Sequence, residues 1–577
     1  MSVCERSLCP HVSDFFSTRV STRVGLSRRL RVPLCAVLLA GSQLAWGQAQ
    51  PDAAAPPPSP VQAAPSAVRQ ADPVPDPVPD PAPSPVKDPV PDPVLSPPPS
   101  QATTDAGGAQ RASSHTAFGS SGSPPPASLT GSGFDFGSYG RVGIGSDLRG
   151  HSGYGVNVVS FGSRLEKPAY LELNFYYGGT LGDEQGSDAK RWRVIFVPAF
   201  AGDLFHYTGS FSQNFAIRNA YAEVENLGVR GLSLWAGSRM YRGDDVYLFD
   251  FWPLDNLNTV GGGANYSIKK RTNLAVHIGM NRLDDLYQVQ VIKVPSRRLP
   301  SDGVILGPQP ATASVTVLDR QRLVASFKLT HFLRDLALLP NGKLVLYGEF
   351  HYLPRGERQP EFTGLMPQPL PEDYGYVVGA QLGGWLRSFV FANLFFRHAG
   401  GLGAFGDLGK PYGFGSDQRT WGTREYTVAT SANYESRHVG VMVGGYFRAW
   451  SDANASRGGD DTGYKEGAAA VRPTVYFGKY FHTAFELSYQ VRRPNTVDQD
   501  LARYLTPMVA RASVMPIVAP LGRGTYSRPF LYALYTLSYL TGDAQYYLFE
   551  PMDVRAGKAL VHYLGLGVEW WFNSSYR

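Results

Sequence analysis

The chain has 577 residues and a formal net charge of +6, a modest excess for its length. This balance excludes a dedicated nucleic-acid binder, whose basic residues would cluster on one face. No apolar run reaches the roughly 18 residues that a transmembrane helix needs, whereas 63 Gly, 32 Tyr and 31 Phe favour many short, twisted strands over helices.

Residues 1–47 have the three parts of a secretory signal peptide. Arg28–Arg31 is basic, Val32–Ala45 is short and apolar, and Ala45–Gly47 is a small-x-small cleavage site. The basic flank favours this interpretation over an internal apolar strand. The cysteines all precede residue 36: Cys4, Cys9 and Cys35. A mature chain without them fits an oxidising periplasm and excludes Cys-based metal, redox and nucleophile chemistry.

Residues 48–132 favour a disordered periplasmic linker rich in Pro, Asp and Ser. Val-Pro-Asp-Pro recurs there, and proline withholds the donors that helices and sheets require. Such a segment populates extended polyproline II, at about 3.1 Å per residue. Two interpretations stay open: a tether that reaches peptidoglycan, and a solvated spacer without a partner.

Residues 133–577 alternate repeatedly between apolar and polar positions. In Ala484–Arg492, Phe485 and Leu487 share one face, whereas Glu486 and Ser488 share the other. Both a soluble β-sandwich and an outer-membrane barrel give this pattern. The signal peptide, the cysteine-free mature chain and a final aromatic-rich strand favour the barrel. Roughly 440 residues in strand-plus-loop units of about 24 predict an all-β transmembrane antiparallel barrel of about 18 strands.

The segment Trp235–Asn258 concentrates aromatic, Arg and Asp side chains after an alternating strand. Its members include Arg239, Arg242, Asp244, Asp245 and Asp250, together with Tyr241, Tyr247, Phe251 and Trp252. A flat ring stacks on the apolar face of a pyranose, while Arg donors and carboxylate acceptors pair with its hydroxyls. The segment therefore has the chemistry of a carbohydrate-contacting surface.

Several segments resemble the maltoporin family, the sugar-specific porins of bacterial outer membranes. Trp235–Asn258 resembles the third-loop region of the family, Phe136–Gly145 its first strand, and Arg164–Leu173 the motifs that follow. Tyr526–Pro529 resembles a later aromatic-x-Arg-Pro motif. The resemblance covers nearly all of Phe134–Phe572. It implies an inward-folded constriction loop, a homotrimer, and passive diffusion of maltose, maltodextrins or similar saccharides.

The resemblance also implies roles for individual residues. An aromatic slide along which the sugar moves would consist of Tyr139, Tyr170, Trp252, Tyr526 and Trp571. A polar track beside it would consist of Arg141, Arg164, Glu172, Arg218, Arg242, Asp245 and Asp250. Gly243 stands where the family has a constriction arginine, and the neighbouring Arg242 is a candidate substitute. Family members also take one slide aromatic from a neighbouring subunit; the candidates here are Phe205, Tyr207 and Phe211.

The same residues admit plainer interpretations. Inward aromatics also pack against lumenal loops, and Trp571 also fits a girdle at the membrane interface. Charged lumenal groups such as Arg164 and Asp245 also serve general electrostatic filtering. At the level of the whole chain, a general or non-sugar porin and a structural outer-membrane protein tethered by its linker remain alternatives to a sugar channel.

No pattern of an enzyme or a cofactor site is evident in the sequence. Gly401–Gly406 matches GxGxxG, but no helix follows it, and the acidic segment at Asp452 lacks the closing Glu of a calcium loop. His277, His351 and His482 have no local signature of an outer-membrane hydrolase. We therefore expect no catalysis, metal or cofactor. The expected partners are a saccharide, outer-membrane lipid and two further copies of the chain, with no nucleic acid.

Overall fold

The computed structural model describes residues 133–574, apart from 168, 183–187, 203–213, 270, 296–311, 337–338, 361–365, 388 and 455–461. The predicted signal peptide (1–47) and linker (48–132) lie outside the described residues. The same is true of the three candidates for a slide aromatic shared between subunits, Phe205, Tyr207 and Phe211.

The described part of the chain is almost entirely β-structure. Its 22 strands are β1 (Gly133–Ser146), β2 (Tyr170–Leu181), β3 (Lys190–Ala201), β4 (Asn214–Glu225), β5 (Leu232–Arg242), β6 (Asn256–Ile268), β7 (Thr272–Asn281), β8 (Val289–Pro295), β9 (Thr312–Asp319), β10 (Arg322–Leu336), β11 (Leu339–Leu353), β12 (Gly356–Arg358), β13 (Gln368–Leu370), β14 (Asp373–Arg387), β15 (Val390–Gly401), β16 (Arg424–Glu435), β17 (Val439–Ser451), β18 (Tyr464–Tyr476), β19 (Phe481–Pro494), β20 (Met508–Val518), β21 (Phe530–Leu540) and β22 (Leu560–Phe572). Short 3-10 turns cover Tyr247–Phe249 and Leu402–Phe405, and the helix α1 covers Gly542–Leu548. Among these described residues, no helix has the length and apolar character that crossing a membrane requires.

Eighteen of the described strands form one closed antiparallel barrel. Each barrel strand pairs with the next barrel strand along the chain, so that β7 pairs with β10 and β11 pairs with β14. The first strand, β1, pairs with both β2 and the last strand, β22, which closes the barrel. This closure places Tyr139 opposite Glu172 on one side and opposite Trp571 on the other. The other four strands form two separate hairpins, β8–β9 and β12–β13. The predicted barrel and its predicted number of strands are confirmed.

The barrel strands keep the alternation on which the prediction rests. On β19, Phe485 and Leu487 are 43% and 59% exposed, whereas Glu486 and Gln490 are 3% and 0% exposed. In a transmembrane barrel the exposed apolar face contacts lipid and the polar face lines the lumen. Glu172 on β2 likewise lies on the buried face, as the alternation predicts.

The two ends of the barrel differ in the length of their connections. At one end, short turns such as 226–231, 269–271 and 436–438 join the strands, whereas at the other end long loops such as 147–169 and 402–423 join them. In outer-membrane barrels the short turns face the periplasm and the long loops face outward. This rule orients the barrel.

Two of the long loops fold into the lumen. One is the predicted constriction loop, 243–255, in which Val246–Phe249 is fully buried. The other, 147–169, is not anticipated by the sequence analysis. It is held across the barrel by Gln490 of β19, whose Oε1 accepts from Val158 N at 3.2 Å and whose Nε2 donates to Asn157 Oδ1 at 2.8 Å.

Apolar side chains of the constriction loop form a core inside the lumen. Phe249 and Phe251 contact the ring of Tyr446 on β17, at centroid distances of 5.7 and 5.2 Å. Gly444 allows this approach, because a Cβ there would lie only 2.8 Å from Val246 Cγ1. The loop thus reaches from β5 and β6 across the lumen to β17.

Candidate functional site

The constriction loop turns sharply in front of Asp250. The 3-10 turn Tyr247–Phe249 ends there, and Asp250 adopts a left-handed backbone conformation with φ of 50°. Asp tolerates this conformation better than most residues do. The turn directs the Asp250 carboxylate away from the apolar core of the loop and toward β1.

Three cations converge on the Asp250 carboxylate. Arg141 of β1 lies 2.9 Å from it, Arg164 lies 3.2 Å from it, and Lys167 lies 3.0 Å from it. Burial alone would raise the pKa of Asp250, but the charges of Arg164, Lys167 and Arg141 outweigh burial and hold this pKa well below its usual range. The carboxylate therefore stays ionised and holds three segments of the chain together.

A second carboxylate continues this network. Glu569 of β22 accepts from Arg164 Nη2 at 2.7 Å and pairs with Arg528 at 3.1 Å. Arg164 also lies 4.0 Å above the ring of Tyr247. Because Arg164 is only 4% exposed, it links the constriction loop to the barrel wall from a buried position.

Aromatic rings form a continuous row beside this network. The successive centroid distances are 5.7 Å from Tyr170 to Tyr139, 6.4 Å from Tyr139 to Trp571, 6.2 Å from Trp571 to Tyr247, and 5.4 Å from Tyr247 to Tyr526. Four of the five predicted slide residues thus lie in one row. The row also contains Tyr247, which was not among the predicted slide residues.

The members of the aromatic row differ in exposure. Tyr170 and Trp571 are half-buried, whereas Tyr139 and Tyr247 are 1% and 3% exposed. Arg164 donates a hydrogen bond to the Tyr139 hydroxyl at 2.9 Å. A solute could stack on the ring of Tyr139 only if the side chains that bury it moved.

Tyr170, Glu172 and Arg218 form a compact polar group on the lumenal wall. Arg218 lies 3.0 Å from the Glu172 carboxylate, and the Tyr170 hydroxyl donates to the same carboxylate. Arg218 also donates to the Tyr170 hydroxyl. A ring with donors and an acceptor at its edge is the combination that the polar track requires.

The other predicted residues lie nearer the two ends of the constriction loop. The ring of Trp252 faces the Arg242 guanidinium at 4.0 Å, and Arg242 Nε donates to Asn256 Oδ1 at 2.5 Å. Asp245 is half-buried within the loop. Its neighbour Asp244 pairs with Lys343 of β11 at 2.6 Å.

Gly243 leaves no room for the constriction arginine of the maltoporin family. A Cβ at this position would lie 2.2 Å from Asp255 Oδ1. Asp255 is 1% exposed, and its other carboxylate oxygen accepts from Lys328 Nζ at 2.5 Å. Because Lys328 holds the Asp255 side chain, a larger residue at 243 would require this ion pair or the loop to move.

The residues that the sequence analysis missed are Lys167, Tyr247, Arg528 and Glu569. Glu569 and Arg528 each lie two residues from a predicted slide aromatic, so strand alternation or the Arg-Pro motif was a usable signal for both. Lys167 and Tyr247 lie in loops without periodicity. Only the folded chain brings them to Asp250 and Trp571.

The lumen also contains a buried Ser–His contact. His277 Nδ1 lies 3.3 Å from Ser326 Oγ, and its Nε2 lies 2.7 Å from Thr259 Oγ1. In a hydrolase triad a carboxylate orients the imidazole, but here the hydroxyl of Thr259 occupies that place. Within the described residues, no group of three or more His, Cys, Asp or Glu is placed to hold a metal ion.

The family model described as LamB porin matches residues 134–572. The solved outer-membrane channel DcaP of Acinetobacter baumannii is similar, with 12% identity and a TM-score of 0.39, over 77% of this chain and 98% of that one. OccD3 of Pseudomonas aeruginosa is similar at 10% identity and a TM-score of 0.38, over 78% and 95% of the two chains. Among curated protein sequences, none matches. Because the family model covers the whole barrel, the chain belongs to the LamB porin family of bacterial outer-membrane channels.

Proposed function

We propose that this porin is a sugar-selective channel through which maltose, maltodextrins or similar saccharides diffuse passively. The observation that carries the proposal is the aromatic row from Tyr170 to Tyr526, with charged hydrogen-bonding groups along its edge. Rings bind the apolar face of a sugar, while Arg and carboxylate groups bind its hydroxyls.

Passage follows from the exchange of weak contacts. A sugar that enters from the long-loop end loses water and gains stacking on the half-buried rings of Tyr170 and Trp571. Its hydroxyls exchange hydrogen bonds with Arg218, Glu172 and Arg141 as those to water are lost. Because each contact resembles the next in strength, no site binds the sugar tightly enough to trap it. Conduction requires such a series of weak binding sites.

We further propose the assembly and processing that accompany this function. Residues 1–47 direct export, residues 48–132 form a periplasmic linker, and three copies of the barrel associate. The linker touches peptidoglycan or acts as a spacer. Crosslinking of intact cells distinguishes these two roles, since only a tether gives adducts with the cell wall through the linker.

Liposome swelling tests sugar selectivity directly. Vesicles that contain the purified protein should swell faster in maltotriose than in raffinose, a trisaccharide of equal mass. Equal rates for the two sugars would leave a general porin as the function, an alternative that the near-complete burial of the Tyr139 ring favours. No swelling in any solute would instead support a structural, plugged barrel.

A further inference from the structure

The constriction carries more positive than negative charge. Among the residues that the structure describes, one ion-pair network there contains four cations and two carboxylates, an excess of two positive charges. Its contacts are Arg141, Arg164 and Lys167 on Asp250, and Arg164 and Arg528 on Glu569. When charged groups in proteins are withdrawn from water, most are paired with an opposite charge, so that the numbers of cations and anions are nearly equal.

A cluster on the lumenal wall of β15–β19 repeats the imbalance. Glu425 pairs with Arg397 at 2.6 Å and with Arg448 at 2.5 Å, and Glu466 pairs with Arg492 at 3.0 Å. Three arginines thus share two glutamates. By contrast, Lys328 and Asp255, or Arg218 and Glu172, are matched one to one.

The excess charge at the constriction faces the channel. The side chains of Lys167 and Arg141 are 31% and 18% exposed, whereas those of Asp250 and Glu569 are each 9% exposed. A solute that reaches the constriction therefore meets an ammonium and a guanidinium before it meets either carboxylate. In a narrow lumen with low-dielectric walls, such charge acts over a longer distance than it does in open water.

The two exposed cations are close enough to bind one anionic group. Arg141 Nη1 and Lys167 Nζ lie 2.9 and 3.0 Å from the same atom, Asp250 Oδ2, so at most 5.9 Å separates them. Burial lowers the pKa of Lys167, Asp250 raises it, and the neighbouring Arg141 and Arg164 lower it further. A second anion at this place would relieve the repulsion among the three cations.

We propose that the preferred solute of this channel is a saccharide that carries a carboxylate or phosphate group. Its anionic group would bind between Arg141 and Lys167, while its ring lies on the half-buried Tyr170, next to Arg141. Arg provides the planar, two-pronged donors that fit carboxylate and phosphate, and Lys adds a point charge. The proposal rests on the sugar-channel function above and adds to it a preference for anionic saccharides over neutral ones such as maltose.

Two bilayer measurements on the purified full-length protein test this inference. In a KCl gradient, the reversal potential should show preference for chloride. In symmetric KCl, glucose 6-phosphate and glucuronate should each block the current at about tenfold lower concentration than glucose, as one charge-assisted contact allows. The advantage should shrink as ionic strength rises. Preference for potassium, or equal block by glucose and glucose 6-phosphate, would overturn the proposal.

A lysine variant with a matched control locates the effect. Lys167→Gln should shift the reversal potential toward potassium and remove most of the advantage of the anionic sugars, whereas Lys167→Arg should keep both. Lys410→Gln removes the same charge from an exposed outer-loop residue and should change neither. If Lys167→Gln behaves like Lys410→Gln, the proposed binding place is wrong. Block by neutral sugars alone would overturn only this inference, whereas no block by any sugar would overturn the sugar channel as well.

Discussion

At the scale of single residues, Asp250 connects parts of the chain that are far apart in sequence. It binds Arg141 on β1 and two residues of the inward-folded loop 147–169, while it belongs itself to the constriction loop. Removal of one partner from a buried ion pair is costly, because the remaining charge stays in a poorly solvated place. Asp250 is therefore expected to affect both stability and channel width.

Asp250→Asn should destabilise the folded barrel by roughly 3 kcal/mol or more, since it leaves Arg164 buried with less compensation. A group whose pKa is depressed contributes stability above its ordinary pKa, and this stability is lost only when pH falls through the depressed value. The loss should therefore be the same at pH 5 and pH 8. Urea unfolding in lipid vesicles measures it. Asp284→Asn, at an exposed position, is the control, and equal losses in both variants would contradict the assignment.

Trp252 provides a separate residue-level prediction. Its half-buried ring lies in the constriction loop and stacks on Arg242, at the end of β5. Trp252→Ala should weaken the block by sugars several-fold, because a stacking face is lost, while the ion conductance stays similar or rises. Trp252→Phe should retain most of the block. Titration of single-channel current with maltotriose measures both, and an unchanged affinity in Trp252→Ala would show that this ring does not bind the sugar.

At the scale of elements, the alternation of side chains within each strand explains which parts of the fold could be predicted from the sequence. Alternation within each strand fixes which side chains share a face. The lumenal positions of Tyr139 and Glu172 could therefore be predicted from a few neighbouring residues. The inward fold of 147–169 depends on contacts such as that between Asn157 and Gln490, which are 333 residues apart. Loop sequences have no periodicity from which such contacts could be predicted. For the same reason, the contact of Lys167 with Asp250 and the place of Tyr247 in the aromatic row were not predicted.

The loop 402–423 should respond to pH through Asp407. Burial and, next, the charge of Glu349 raise the pKa of Asp407 to about 7, although Asn258 N donates to its carboxylate. A raised pKa contributes stability at low pH that is lost as pH rises through the raised value. The barrel should therefore lose about 1.4 kcal/mol between pH 6 and pH 8 through this residue.

Unfolding in vesicles at the two pH values checks this expectation. Asp407→Asn should abolish the difference, because the amide does not titrate. Asp417→Asn changes an exposed residue of the same loop and should leave the difference intact. A pH dependence that persists unchanged in Asp407→Asn would assign it to another group.

At the scale of the whole molecule, the closed barrel follows from composition and alternation together, whereas its orientation in the membrane follows from the lengths of its turns and loops. Because the 18-stranded sheet is closed, it has no free edge, and its exposed apolar residues cover the outer face. The particular sugar does not follow in the same way. It depends on a few side chains at the constriction, such as Gly243 beside Asp255, whose contacts the alternation does not encode.

The membrane assignment predicts a dependence on depth along β22. Leu566 lies at mid-strand and is 63% exposed, and Leu560 lies at the strand end on the same face and is 49% exposed. Leu566→Arg should cost about 2–4 kcal/mol of folding free energy in vesicles, whereas Leu560→Arg should cost about 0–1 kcal/mol. Equal costs for the two variants would contradict a bilayer centred on Leu566.

The most direct test of the sugar-channel proposal is the single-channel conductance of the purified protein in a planar bilayer, titrated first with maltotriose and then with sucrose. We expect a small conductance that appears in steps of three and is blocked saturably by sugar. Open channels whose current no sugar reduces, neutral or anionic, would contradict it.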